Sequence, residues 1–118
     1  MSETFNVDLE LRDKAALAAA CSRLGLSVAS GVHNLYRDKG LQGLGVSLQG
    51  WRFPAIVKAD GTVAYDNYHG RWGDIKELNK LKAYYGLEKA KIEARKKGLS
   101  VYESVQDNKL VLKIRVGG

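Results

Sequence analysis

Phe5-Asn6-Val7-Asp8-Leu9-Glu10-Leu11-Arg12-Asp13, followed by the alanine-rich run from Lys14 to Leu24 and then by Gly25, is the stretch on which the fold class turns. Phe5, Val7, Leu9 and Leu11 alternate with Asn6, Asp8 and Glu10, which is the period of a strand with one buried and one wet face. Asp13 then offers a carboxylate to cap a helix. Leu17, Ala20, Cys21 and Leu24 recur at helical spacing, and Gly25 suits the left-handed residue that ends one. The spacing predicts a helix over residues 14–24.

Working outward, Leu26-Ser27-Val28 starts a second, short strand, and the glycine-rich segment from Ala29 to Gly45 reads as a loop or irregular edge. Val46 and Leu48, the Gln49-Gly50 turn, Trp51 to Val57, the Ala59-Asp60-Gly61 turn and Thr62 to Tyr65 make a three-stranded antiparallel meander. Pro54 has no N–H for a ladder, so its strand is expected to be an edge or bulged there. Asp74 followed by Glu77 matches a capping box, with Ile75, Leu78, Leu81 and Tyr85 on one helical face. Gly86 interrupts that stripe before Leu87, Ala90 and Ala94 resume it, which predicts two short helices meeting near Tyr85-Gly86, or one long bent helix. Val101, Glu103 and Val105 lead through Asp107-Asn108, a type I′ turn signal, to Leu110, Leu112, Ile114 and Val116. The expected fold is therefore a single α+β domain over residues 1–118. It has a mainly antiparallel sheet with helices on one face, in the order strand, helix, strand, three-strand meander, two helices, hairpin.

Of the 118 residues, 45% are apolar and 27% charged, the balance of a globular chain that buries its own core. Cys21 is the only cysteine, which excludes an internal disulfide and a thiolate metal site and fits a reducing, cytoplasmic setting. The first residues show no leader pattern, and no run approaches the roughly 18 apolar residues of a membrane span. The net charge of +6 is unevenly placed: residues 1–70 balance, whereas residues 71–118 carry twelve basic against six acidic side chains. That asymmetry suits an anionic partner, and equally a solvated basic helix surface.

The order of these pieces resembles a known family. Val7-Asp8-Leu9-Glu10-Leu11-Arg12-Asp13 and the helix ending Ser22-Arg23-Leu24-Gly25-Leu26-Ser27-Val28 are similar to the opening of the family named for hypothetical chloroplast open reading frame thirty-five. Its members are small proteins of plastids, cyanobacteria, other bacteria and phages that are labelled a domain of unknown function. The similarity continues in Gly50-Trp51, Ala59-Asp60-Gly61, Trp72-Gly73, Asn79 to Leu87, and Ala94-Arg95-Lys96-Lys97-Gly98-Leu99. The chain departs from it in the glycine-rich segment and in Asp66 to Arg71. The resemblance implies a shared fold and an intracellular setting, and it carries over no catalytic residues.

The residues without an evident structural task cluster in Tyr65-Asp66-Asn67-Tyr68-His69-Gly70-Arg71-Trp72-Gly73. Loops on rigid elements concentrate binding residues, and Tyr, Trp and Arg are the usual hot-spot types. Tyr65, Asp66, Tyr68, His69, Arg71 and Trp72 are the expected partner contacts; the competing reading makes Tyr65 and Trp72 core anchors. His69 with Asp66 has the residue types of an oriented general base, but no nucleophile accompanies them. Two histidines and one cysteine with no close pairing build no zinc site, the carboxylates lack calcium-loop spacing, and Gly40, Gly43 and Gly45 lack phosphate-loop spacing, so no metal or cofactor is implied. Lys82, Lys89, Arg95, Lys96 and Lys97, with Tyr84, Tyr85 and Tyr102 nearby, are the candidates for nucleic-acid contact, although Glu93 is placed to pair with Lys89 and Lys97. The expected function is a non-enzymatic binding or adaptor module for a macromolecule, protein ahead of nucleic acid. RNA or DNA binding through residues 74–97 is one alternative, and phage-encoded modulation of a host protein is another.

Overall fold

A computed structural model describes residues 2–115. Strand β1 (Phe5–Asp8) leads to α1 (Lys14–Leu24), β2 (Ser27–His33), β3 (Leu41–Ser47), β4 (Ala55–Val57), β5 (Thr62–Tyr65), a 3-10 turn (Tyr68–Gly70), α2 (Ile75–Lys96), β6 (Ser100–Gln106) and β7 (Lys109–Arg115). Five strands form one sheet in the order β1-β5-β4-β3-β2, with antiparallel pairing throughout, and β6 and β7 form a separate two-stranded ladder. The α+β class holds, and the expected meander is β3-β4-β5.

Helix α1 starts and stops where its sequence says. The Asp13 carboxylate accepts the Ala16 N–H at 3.1 Å. At the other end Gly25, at φ 69, and Leu26 donate to the carbonyls of Ser22 and Cys21, the paired bonds of a Schellman cap. The first strand is shorter than its alternation implies, because Asp8 Oδ1 accepts the Glu10 N–H at 3.2 Å and Glu10 takes φ 54. This local turn ends the ladder while Leu11 still reaches the core, its N–H bonded to the Gly61 carbonyl at 3.1 Å.

Three other expectations are corrected. The two short helices are one: α2 runs 22 residues through Gly86. Glycine costs about 1 kcal/mol in a helix. Here the packing of Leu78, Leu81 and Tyr85 before it and Ala94 after it outweighs that cost, and the Tyr85 hydroxyl accepts the Asp13 N–H at 2.9 Å. The glycine-rich segment is mostly strand: β2 continues to His33 and β3 starts at Leu41, pairing Ala29 with Gly45 and Gly31 with Gly43. Small residues facing one another leave no alternating apolar signal. Finally, the strand expected from Trp51 begins only at Ala55, so Pro54 lies outside the ladder and no bulge is needed. The closing hairpin forms as expected, with Asp107 and Asn108 at φ 52 and 62 in the manner of a type I′ turn. Val116, expected to extend it, lies outside the described residues.

Both helices share the sheet face that carries Val46, Val57 and Val63, and they enclose Leu17, Cys21, Leu78 and Leu81 in the main core. The opposite face buries Ile56 and Ala64 beneath Leu35 and Phe53, which come from connecting segments rather than from a helix. Among the described residues no helix is long and apolar enough to cross a membrane.

Candidate functional site

The segment after β5 is a tightly bonded turn. Asp66 is 1% exposed, and its Oδ1 accepts the Tyr68 N–H at 3.1 Å. Asn67, also buried, accepts the N–H groups of Gly70 and Trp72 on its carbonyl and donates from Nδ2 to the Gly73 carbonyl at 3.2 Å. These bonds hold Tyr68 and His69 at φ 45 and 52, a left-handed conformation that costs a side-chain-bearing residue roughly 1–2 kcal/mol. The bonds offset this cost and keep both rings where the turn places them.

Gly73 anchors the far end. A Cβ there would lie 2.5 Å from the Trp51 ring, whose Nε1 donates to the Asp74 carbonyl at 3.0 Å. The Arg52 N–H reaches the Trp72 carbonyl at 2.8 Å, so residues 51–53 and 72–74 form one junction. Gly73→Ala is expected to displace the Trp51 ring and destabilise the chain by about 1–3 kcal/mol, the cost of overpacking a close contact. Urea unfolding followed by tryptophan fluorescence measures it.

That junction builds a surface that sequence spacing does not show. The Trp72 ring centroid lies 4.8 Å from Tyr68, 5.5 Å from Phe53 and 5.5 Å from Tyr36. The Arg52 guanidinium sits 5.0 Å above Trp72, and that of Arg71 sits 5.2 Å above Tyr68. Tyr36 is 57% exposed, and Arg52, His69 and Arg71 are exposed as well. Tyr68, His69, Arg71 and Trp72 thus fall on this surface. Tyr65 and Asp66 do not: Tyr65 turns to the helix side, stacking on Phe5 at 5.5 Å and meeting Trp51 at 5.7 Å, and burial pushes its phenol up. Tyr36, Arg52 and Phe53 went unnoticed in the sequence; the available signal was aromatic residues beside arginines in irregular segments, Tyr36-Arg37 and Trp51-Arg52-Phe53. His69 and Asp66 are not joined as a general base needs: Asp66 Oδ1 accepts the Tyr68 N–H, and among the described residues its buried Oδ2 has no hydrogen-bond partner.

The basic candidates lie on α2. Lys82, Arg95, Lys96 and Lys97 are exposed and Lys89 half-buried, with Lys82, Lys89 and Lys96 seven residues apart along one stripe. The Glu93 pairs expected with Lys89 and Lys97 do not form among the described residues. The acid that neutralises cations here is Glu103 of β6, with Glu88 of α2. Arg23 reaches Glu103 at 2.6 Å and Glu88 at 3.3 Å, and Lys91 reaches Glu103 at 2.7 Å and Glu88 at 3.3 Å. Hydrogen bonds from Arg23 and then Lys91 pull the Glu103 carboxyl down to about 2, and Glu103 in turn raises Arg23. Beyond this cluster β7 adds Lys109, Lys113 and Arg115, the last 5.1 Å above the Tyr102 ring.

Among the described residues no three His, Cys, Asp or Glu side chains gather to hold a metal ion, and Cys21 is buried, which pushes its thiol up. No family model, curated protein or solved structure matches this chain.

Proposed function

We propose that this chain is a non-enzymatic binding module that docks on a protein partner through the Trp72-centred surface. The observation that carries this reading is the clustering of Tyr36, Phe53, Tyr68 and Trp72 with Arg52 and Arg71 stacked on two of those rings, drawn from three separate segments. Aromatic and arginine side chains dominate binding energy because they desolvate large areas at low entropic cost. A bonded turn that already holds Tyr68 and His69 in place lowers that cost further. Asp66 and Asn67 serve as its internal scaffold. The proposed setting is reducing and cytoplasmic, supported by the buried, unpaired Cys21. Kinship with the chloroplast-frame family belongs to the proposal too, supported by the order of its turns and helix ends. Where the gene is carried by a phage, the partner is a host protein that the chain redirects or inhibits.

Affinity purification with the native chain, set against the Tyr68→Ala/Arg71→Ala variant, tests the site. Loss of two hot-spot side chains is expected to reduce partner recovery by about tenfold or more; unchanged recovery sinks the assignment. A second reading, RNA or DNA binding by the basic end, is favoured by one observation: Glu88 and Glu103 are spent on Arg23 and Lys91, and among the described residues Lys89, Arg95, Lys96 and Lys97 have no carboxylate partner. In the same purification it calls for recovered nucleic acid that falls with added salt and with neutralisation of Lys89, Lys96 and Lys97 together.

A further inference from the structure

The two edges of the five-stranded sheet are built differently. At the β1 edge the strand is four residues long, ends in Asp8 and runs into a turn at Glu10, the short charged form that discourages further pairing. At the β2 edge lie seven residues, Ser27 to His33, with no charged side chain and no proline, and all but His33 are exposed. A long uncharged edge offers a row of backbone donors and acceptors to another strand.

The order of residues on that edge says which strand. About Ser30, β2 reads alike in both directions: Ala29 and Gly31 are small, Val28 and Val32 are β-branched, and Ser27 and His33 are polar. Val28 is 39% exposed and Val32 66%, although both are apolar. The register with β3 sets Val28 opposite Val46 and Val32 opposite Gln42, so both valines lie on the helix side of the sheet. There a cleft of about 950 Å³ opens between α1 and the β2–β3 edge, walled by Leu17, Leu26, Val28, Leu44 and Val57.

We infer that β2 is the edge through which a second copy of this chain joins the first, strand to antiparallel strand about a two-fold axis at Ser30. This register sets Val28 against Val32 of the second copy on both sides of the axis, Ala29 against Gly31, Ser27 against His33, and Ser30 against itself. It forms two β-branched cross-strand pairs, covers both exposed valines and joins two five-stranded sheets into one. A two-fold interface requires a patch complementary to itself, and a strand symmetric in residue type supplies that. An acidic peptide or a nucleic acid finds no charged side chain on β2 itself; Arg12, Lys14 and Lys58 line the cleft beyond it, away from the strand that pairs. His33 Nε2 sits 2.8 Å from the Ala29 carbonyl oxygen and its ring lies over Gly45, on the sheet face opposite the two valines.

Sedimentation equilibrium on the native chain is expected to show a monomer–dimer equilibrium. Val28→Lys/Val32→Lys opposes like charges twice across the axis and is expected to raise the dissociation constant by about tenfold or more. Val28→Lys/Val32→Glu opposes unlike charges at the same positions and restores the dimer. Ser30→Cys is expected to oxidise to a covalent dimer, since directly opposed residues have Cα atoms about 4.5–5.5 Å apart, within disulfide reach; the native chain, whose Cys21 is buried, does not. A native chain that stays monomeric at high micromolar concentration overturns the inference, as does a dimer indifferent to the paired lysines. Failure of the mixed-charge variant to recover, or of Ser30→Cys to cross-link, overturns the two-fold register.

Discussion

Leu81→Ala is expected to destabilise the chain by about 2–5 kcal/mol, the range for removing a large aliphatic side chain from a closed core. Leu81 is 0% exposed and belongs to the cluster in which α2 meets Leu17, Ala20 and Cys21 of α1 over Val46, Val57 and Val63 of the sheet. The site has little means of collapsing. Much of its α1 side is Ala16, Ala20 and Cys21, too short to swing into the void, Leu17 is itself closely packed in the core, and the helix pair is fixed by the bond from the Asp13 N–H to the Tyr85 hydroxyl. Small domains have only about 5–15 kcal/mol in total, so this one truncation removes a large share of it. Urea unfolding monitored by far-UV circular dichroism is the measurement; a midpoint shift equivalent to under about 1 kcal/mol would show that α1 and α2 repack freely.

The opening strand and helix, Phe5 to Gly25, were readable for a local reason. In Phe5 to Gly25 the local signals agree with their tertiary roles, except that the Glu10 turn ends the ladder at Asp8: alternation marks a half-buried strand, Asp13 caps, Gly25 terminates, and the apolar stripe of α1 is the stripe that packs. The reading failed where local and tertiary terms disagree. Gly86 is a breaker by propensity, yet the helix passes through it because packing on both sides exceeds its cost. β2 and β3 lack apolar alternation because their facing residues are small, and the His33 ring fills the space over Gly45 that a side chain would otherwise take. The site was half legible for a related reason. Tyr68, His69, Arg71 and Trp72 are contiguous, so sequence alone groups them, whereas Tyr36, Arg52 and Phe53 join only because Leu35 and Phe53 must cover Ile56 and Ala64 on the second sheet face. Proximity produced by a long-range packing requirement leaves no short-range pattern.

The ion cluster at the far end of the fold sets the other large effect. Among the described residues β6 and β7 form a two-stranded ladder with no third strand, and an isolated hairpin of this kind is marginal in water. It leaves Tyr102, Val105, Leu110 and Ile114 exposed, so apolar burial on α2 holds it only in part. Glu103 supplies much of the remainder by bonding Arg23 of α1 and Lys91 of α2 at once. Its carboxyl is held at about 2 in the folded chain against an ordinary 4.5. A depressed acid stabilises the fold above its unfolded value and loses that contribution as pH falls through its folded one. The tether is therefore at full strength above about pH 4.5 and decays from there towards pH 2. Because the carboxylate is partly solvated, its worth is of the order of 1–2 kcal/mol. Glu103→Gln keeps the shape and removes the charge. It is expected to lower amide-exchange protection across residues 100–115 by about tenfold at neutral pH and to flatten the loss of hairpin protection between pH 4.5 and 2, leaving the five-stranded sheet unchanged. Protection that falls equally in both sheets would mean that the cluster supports the whole fold; protection unchanged in the hairpin would mean that the contact of β6 with α2 suffices without it. The same bonds fix where Lys109, Lys113 and Arg115 stand relative to Lys89 and Lys96, so a hairpin released by Glu103→Gln also scatters the basic surface that the nucleic-acid reading requires.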